Sequence, residues 1–292
     1  MKKGINAWCF PQNYSLEECI KKAKIAGYDG IEINMTEFNK SKSVIDDLKL
    51  GENYGLTIES SEKEIKEILN ISKDVGISIV GISTSLHWVY SLTSEDNAIR
   101  QKGIDIVKKM IDTAVLLETD AVLVVPGIVN ETVSYKDAYN KSLKALKELR
   151  VKAEENKVYI GIENVWNKFL LSPIEMRNFI EEIGSPYVKS YFDVGNVMAF
   201  SYPEYWIEIL SDYIIRVHVK DFDTSIGNIK GFKNIFQGDV DWIKVMKTLY
   251  KVKYDGYITA ELSPYSIMPD FLVFDTSRHL DALLNLNSVI NK

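Results

Sequence analysis

Four short apolar runs in the second half of the chain each carry, near the C-terminal end, a side chain able to bind a divalent cation. They are Val158-Tyr159-Ile160-Gly161-Ile162-Glu163, Val188-Lys189-Ser190-Tyr191-Phe192-Asp193, Ile214-Ile215-Arg216-Val217-His218-Val219 and Tyr257-Ile258-Thr259-Ala260-Glu261. Three carboxylates and one imidazole make a mixed but mostly hard donor set. Such a set suits one divalent cation, Mn²⁺ or Mg²⁺ first, with Co²⁺, Fe²⁺ or Zn²⁺ as substitutes. One such residue alone would read as an ordinary solvated charge at a strand end. Four on successive strand-like runs point to a shared site.

Side chains alternate between the two faces of a strand. Tyr159, Gly161 and Glu163 therefore share a face, as do Tyr191 and Asp193, then Arg216, His218 and Lys220, and finally Thr259 and Glu261. If that face lines the inside of a barrel, the four donors converge. Glu32 also stands on a strand. Aligning Tyr28-Asp29-Gly30 with Tyr254-Asp255-Gly256 puts it on the opposite face from Glu261, outside the ligand set. His87 lies in a loop after the third strand, where it could reach a substrate oxygen or be an ordinary surface or half-buried loop histidine, while His279 falls in an amphipathic helix and reads as structural. Among the tryptophans, Trp8 and Trp166 have the better case for stacking on a ligand, because both fall at strand ends. No dinucleotide, P-loop, zinc-protease or nucleophile-elbow signature occurs.

The elements that must position these residues alternate through the chain. Ile5 to Phe10 is a short apolar segment stopped by Pro11, and Ser15-Leu16-Glu17-Glu18 opens a helix with a cap and first-turn acids. Ile31-Glu32-Ile33 precedes a polar connection and a helix from Ser61 to about Val75; Ile77 to Ser83 precedes a long helix beginning at Ser94-Glu95-Asp96. Ala121-Val122-Leu123-Val124-Val125 is wholly apolar, as for a strand buried on both faces, and a charged amphipathic stretch runs from Tyr135 to Asn156. After Glu163, a helix start at Ser172-Pro173 leads to the next strand, and Pro203–Leu210, Asp239–Val252 and Asp270–Val289 supply the remaining helices. About eight strand-helix units without a linker-like break predict a single (β/α)₈ TIM barrel over residues 1–292, rather than a doubly wound sheet.

Composition narrows the classes further. With 46% hydrophobic and 26% charged residues, the chain can bury a sizeable core; a net charge of −6 offers no bulk attraction for nucleic acid or anionic membrane. Cys9 and Cys19 form no Cys-x-x-Cys pair, so neither a disulfide framework nor a structural zinc is expected. No apolar run approaches the ~20 residues of a membrane helix, and the first residues are too polar for a signal peptide. A cytoplasmic protein is the expectation.

At Ile162-Glu163-Asn164, Phe192-Asp193-Val194-Gly195-Asn196, Val217-His218-Val219-Lys220-Asp221 and Gly238-Asp239-Val240-Asp241-Trp242, the sequence resembles the xylose-isomerase-like sugar phosphate isomerase/epimerase family. Gly27-Tyr28-Asp29-Gly30-Ile31-Glu32 resembles it too, so the likeness runs through essentially the whole chain. The resemblance implies a barrel in which Glu163, Asp193, His218 and Glu261 hold one cation, commonly manganese, magnesium or cobalt. It also implies that Glu163 and Glu261 carry out the proton transfers, as their counterparts do in family members that epimerise ketoses. Ser94-Glu95-Asp96 with Arg100 resembles the branch acting on pentulose and hexulose phosphates. Free-ketose 3-epimerases have a histidine three residues after the metal-binding aspartate; this chain has Asn196, as in the phosphate-sugar branch.

The expected partner is therefore a small sugar or sugar phosphate, with no nucleic acid and no membrane; homo-oligomers are common in the family. Asn164, Trp166 and Asn196 would line the sugar pocket with Trp8 and His87. Lys220 could contact a substrate oxygen or phosphate, and Lys168, Lys230 or Lys233 could serve a phosphate from loops. Removal of the C3 proton by one glutamate and its return on the other face by the second gives epimerisation. One glutamate moving a proton between C1 and C2 would give an aldose-ketose isomerase. Inosose dehydratase-like lyase chemistry and a non-catalytic sugar-binding barrel remain alternatives. The related endonuclease branch needs several metal-binding histidines, and three histidines in an acidic chain exclude it.

Overall fold

A computed structural model describes residues 1–37 and 55–290. Much of the polar connection after Ile33 falls outside the described residues. Eight parallel strands close into a barrel: β1 (Lys2–Asn6), β2 (Gly30–Asn34), β3 (Ser78–Ser83), β4 (Ala121–Val124), β5 (Tyr159–Glu163), β6 (Val188–Asp193), β7 (Ile214–Val219) and β10 (Tyr257–Ala260). Between the last two, β8 (Asp221–Phe222) and β9 (Phe232–Lys233) form a small antiparallel hairpin. Among the described residues, eight α-helices occupy the connections: α1 (Leu16–Ile25), α2 (Glu62–Val75), α3 (Asn97–Leu116), α4 (Tyr135–Asn156), α5 (Pro173–Ile183), α6 (Pro203–Leu210), α7 (Trp242–Lys251) and α8 (Asp270–Ile290).

Local chemistry accounts for most boundaries. Ser15 and Glu18 form a reciprocal capping box on α1, and Ser61 and Glu64 do the same on α2, each pair satisfying two otherwise orphaned N–H groups. Pro173 starts α5 at the position where its missing N–H costs nothing. Gly76 ends α2 in the left-handed conformation, at φ 71°. The wholly apolar β4 is buried along its length, as a strand between the barrel interior and a helical layer must be.

Two stretches differ from the sequence reading. The helix expected from Asp239 begins at Trp242, because Asp221 takes the Val240 N–H while Asp241 caps α7 by accepting from Lys244 N at 3.1 Å. The β8–β9 hairpin was not anticipated, since two-residue strands have no period to detect.

The core fills the space between barrel and helices, and polar residues thread the barrel interior. Tyr191 crosses that interior because Gly161 leaves room: a Cβ there would lie 2.6 Å from the Tyr191 ring. Lower down, Arg216 donates to Val80 O at 2.9 Å and pairs with Asp120.

Candidate metal centre and substrate pocket

The interior face of β5, β6, β7 and the end of β10 brings the four sequence-predicted donors together. Glu163, Asp193, His218 and Glu261 each offer one ligand atom, and these atoms lie within 4.8 Å of one another. The imidazole Nδ1 of His218 lies 3.3 Å from Glu163 Oε1, 3.6 Å from Glu261 Oε2 and 3.9 Å from Asp193 Oδ2. Strand alternation is the cause: Asp193 pairs in register with His218, and His218 with Thr259, so the three last strands lift their donors to neighbouring heights.

Crowding of buried carboxylates sets the electrostatics. Burial and the charge of Glu261 push the Glu163 carboxyl up to about 7. Asp193 is also raised, by burial, although Lys220 draws it back. Burial opposes the charge on Glu261 too, but Lys220 and His218 outweigh it and hold that carboxyl below its ordinary value. Lys220 Nζ donates to Asp193 Oδ2 at 2.6 Å and also to Glu261. The Lys220 ammonium and the His218 ring together cannot neutralise these three carboxylates and the adjoining Glu32, and a divalent cation would supply the missing charge. The donor set and its spacing fit such an ion.

Glu32 is the residue that sequence reasoning misplaced. It is fully buried inside the barrel, with its carboxylate oxygens 3.0 and 3.1 Å from His218 Nε2. The two Tyr-Asp-Gly triplets sit out of step in the sheet. Gly30 is level with Gly4, and Gly4 with Thr259, which lies three residues beyond Gly256. An odd offset inverts the face, so Glu32 points inward like Glu261. The β1–β2 register, absent from any local pattern, was the signal needed.

Several residues hold the donors in place. Asn164 Nδ2 donates to Asp193 O at 2.8 Å and its Oδ1 accepts from Asp193 N at 2.9 Å, clamping that strand end. Asn196 N donates to Asp193 Oδ1 at 2.7 Å, and Asn196 Nδ2 donates to Asn164 O. Cys9 Sγ donates to Ala260 O and accepts from Leu262 N at 3.2 Å, gripping the peptide groups on either side of Glu261. Asp221 accepts from Phe222 N, Phe236 N, Val240 N and Trp242 Nε1, which ties down the excursion that contains the hairpin.

Above the donors opens a cavity of about 430 Å³, a size suited to a small molecule. Trp8, Trp166, Asn196 and Lys220 line it, as do Glu163 and Glu261. Trp166 packs against Phe222 and Phe232 with ring centroids 5.3 and 5.1 Å away, forming an aromatic wall with the hairpin. Asn164 spends its side chain on Asp193. His87 is buried behind Val125, whose N–H donates to His87 Nδ1 at 3.2 Å, and burial lowers its pKa to about 4. His279 lies on α8 with its ring 5.4 Å from that of Phe236. Of the loop lysines considered, Lys233 lines the cavity, together with Asn234 and Gln237.

A closed parallel barrel with a convergent carboxylate-imidazole cluster at the strand ends defines a class of proteins with a metal-type centre at the barrel mouth. The chain belongs to the xylose isomerase-like TIM barrel family, whose family model matches residues 20–283. It is 25% identical over 267 residues to the L-ribulose-5-phosphate 3-epimerase UlaE of Shigella flexneri, covering 89% of this chain and 86% of that one. Among solved structures, a D-tagatose 3-epimerase-like protein superposes with a TM-score of 0.78 at 21% identity, covering 99% of this chain and 100% of that one. An L-ribulose 3-epimerase gives 0.75 at 17% identity over 98% and 93% of the two chains. These relatives are named as sugar 3-epimerases, a class of isomerase acting at C3. Among the described residues, no helix is long and apolar enough to cross a membrane.

Proposed function

We propose that the protein is a divalent-cation-dependent isomerase that epimerises a ketose phosphate at C3, with Glu163 and Glu261 as its two acid-base groups. One observation carries the reading. Of the four clustered donors, Glu163 and Glu261 line the open cavity, and they stand on β5 and just past β10, with β6 and β7 between them. Two carboxylates that reach a substrate from separate flanks can serve opposite faces of a planar carbon, which inversion at C3 requires.

A divalent cation bound by Glu163, Asp193, His218 and Glu261, Mn²⁺ in our reading, would polarise the ketose carbonyl and stabilise the enediolate left by proton removal. Asp193 and His218 lie behind the two glutamates and fix the centre. Lys220 holds Glu261 in its ionised form. Trp8 and Trp166 flank the sugar and exclude water, and Asn196 presents its side chain from the loop after β6.

A phosphorylated substrate is favoured by Lys233. Lys220 is already paired with Asp193 and Glu261, whereas among the described residues no carboxylate pairs with Lys233, which lines the same cavity. The likeness to a ribulose-5-phosphate epimerase, and Asn196 in place of a histidine, point the same way. His87 and Asn164 act from behind the wall, through Val125 and Asp193.

Incubation of the Mn²⁺-loaded protein in D₂O with paired free and phosphorylated ketoses tests the proposal. Cation-dependent deuterium at C3 of a phosphorylated ketose is expected, and Lys233→Met should raise KM for the phosphate ester by ~10- to 100-fold, the loss of a charge-assisted hydrogen bond. Label at C1 or C2 would make the protein an aldose-ketose isomerase. No exchange with the cation bound would overturn the epimerase reading.

A further inference from the structure

We propose that Glu32 is a positioning residue that fixes which nitrogen of His218 faces the cation. The inference rests on the reading of the four-residue cluster as a cation site. It concerns a carboxylate on a fifth barrel strand, β2, which supplies none of the four donors.

Glu32 is fully buried and is surrounded by donors from three other strands. Asn6 Nδ2 on β1 donates to its Oε1 at 2.5 Å, the Tyr191 hydroxyl on β6 donates to Oε2, and His218 Nε2 on β7 faces both oxygens. Gly81 on β3 leaves the space this requires: a Cβ there would lie 3.0 Å from the Tyr191 hydroxyl oxygen and 3.6 Å from Glu32 Oε2. An ionised carboxylate can only accept. The nitrogen of His218 that faces it must therefore carry the hydrogen. In a neutral imidazole the other nitrogen, Nδ1, then holds the lone pair, and Nδ1 is the atom turned toward Glu163, Glu261 and Asp193.

Burying a carboxylate is costly unless it is fully hydrogen-bonded, and here β1, β6 and β7 each contribute a donor to meeting that cost. Packing alone would be served by an apolar side chain. What a carboxylate adds is a fixed tautomer, a fixed ring angle and a more basic ligand nitrogen on the far side of the ring.

The test uses ¹⁵N-labelled full-length protein loaded with Mg²⁺, a diamagnetic ion, and two-bond proton-nitrogen correlations of the imidazoles. With three histidines in the chain the spectrum is assignable by His87→Gln and His279→Gln. In the wild type, His218 should carry its proton on Nε2, and Nδ1 should be the nitrogen that shifts on loading. Glu32→Gln should bind Mn²⁺ ~10- to 100-fold more weakly in chelator competition and populate the other tautomer, with Glu32→Asp retaining part of both properties. A wild-type proton on Nδ1 overturns the inference without any variant, which covers the case in which Glu32→Gln fails to fold. Weaker binding with an unchanged tautomer would make Glu32 structural only, and also overturns it. If the wild type takes up neither Mg²⁺ nor Mn²⁺, the cation reading itself fails and this inference falls with it; uptake with the opposite tautomer removes this inference alone.

Discussion

The two halves of the barrel are built to different rules. Strands β5, β6, β7 and β10 bring Glu163, Asp193, His218 and Glu261 to a common point, whereas β1 to β4 contribute no member of that cluster. The quiet half is nevertheless not a bystander. Glu32 on β2, held by Asn6 on β1, meets the back of His218, and Cys9 just after β1 grips the backbone around Glu261. Leu123, Val125 and Trp88, from β4 and the loops after β3 and β4, supply an apolar wall of the cavity. Concentrating charge on one side of a barrel requires the other side to orient it and keep it dry.

The sharpest way to break this comparison is to neutralise one member of the active half. Glu261→Gln keeps the size of the side chain and removes the base, so turnover should fall by ~10²- to 10⁴-fold. Glu163→Gln should do the same. Circular dichroism and cation titration on both variants would separate lost proton transfer from a lost ligand. Epimerisation that persists at near wild-type rate in either variant would mean that the catalytic pair lies elsewhere.

A second prediction concerns protons and the cation. The Glu163 carboxyl, pushed up to about 7 by burial and Glu261, binds a cation only after losing its proton. His218 is raised as well: burial works against its charged form, but Glu32 and Glu261 more than offset it. Both shifts have the same sign for binding, because a group with a raised pKa holds its proton at higher pH. Cation affinity should therefore fall as pH falls, by about tenfold for each pH unit below about 7 from the Glu163 proton alone. Mn²⁺ titrations in buffers of different ionisation enthalpy would count the protons released. An affinity independent of pH through this range would show that the carboxylates are not crowded as described.

The same contrast explains what could be read from the sequence. The ligand half was legible because strand alternation and short apolar runs fix which face Glu163, Asp193 and His218 occupy, and each of these lies within a strand. Helices announced themselves through caps such as Ser15, Ser61 and Pro173. Glu32 was misread because its face depends on the pairing of β2 with β1, a long-range register that a local triplet cannot report. Asp221 and the β8–β9 hairpin were missed for a related reason. Four hydrogen bonds from residues 222, 236, 240 and 242 meet at one carboxylate, and nothing in a single residue's neighbourhood predicts a gathering of that kind. Asn164 shows the reverse, a polar residue beside the site whose side chain serves the backbone of β6 rather than facing the cavity.

The mildest test falls on the supporting half, at Cys9. Its thiol is completely buried, and burial pushes it up to about 12, so it stays protonated and can keep donating to Ala260 O. The same sulfur accepts from Leu262 N, and Glu261 lies between the two peptide groups so held. Cys9→Ala would leave that buried N–H without a partner, at a cost of ~1–3 kcal/mol, measurable by urea denaturation. Turnover should drop by far less than in Glu261→Gln, because the carboxylate remains and loses only part of its anchoring. The folded wild-type thiol should also resist alkylation, since thiolate is scarce and access is closed. A Cys9→Ala variant with unchanged stability and turnover would mean that Glu261 is held by Lys220 and His218 alone. The division of labour across the barrel would then stop at Glu32.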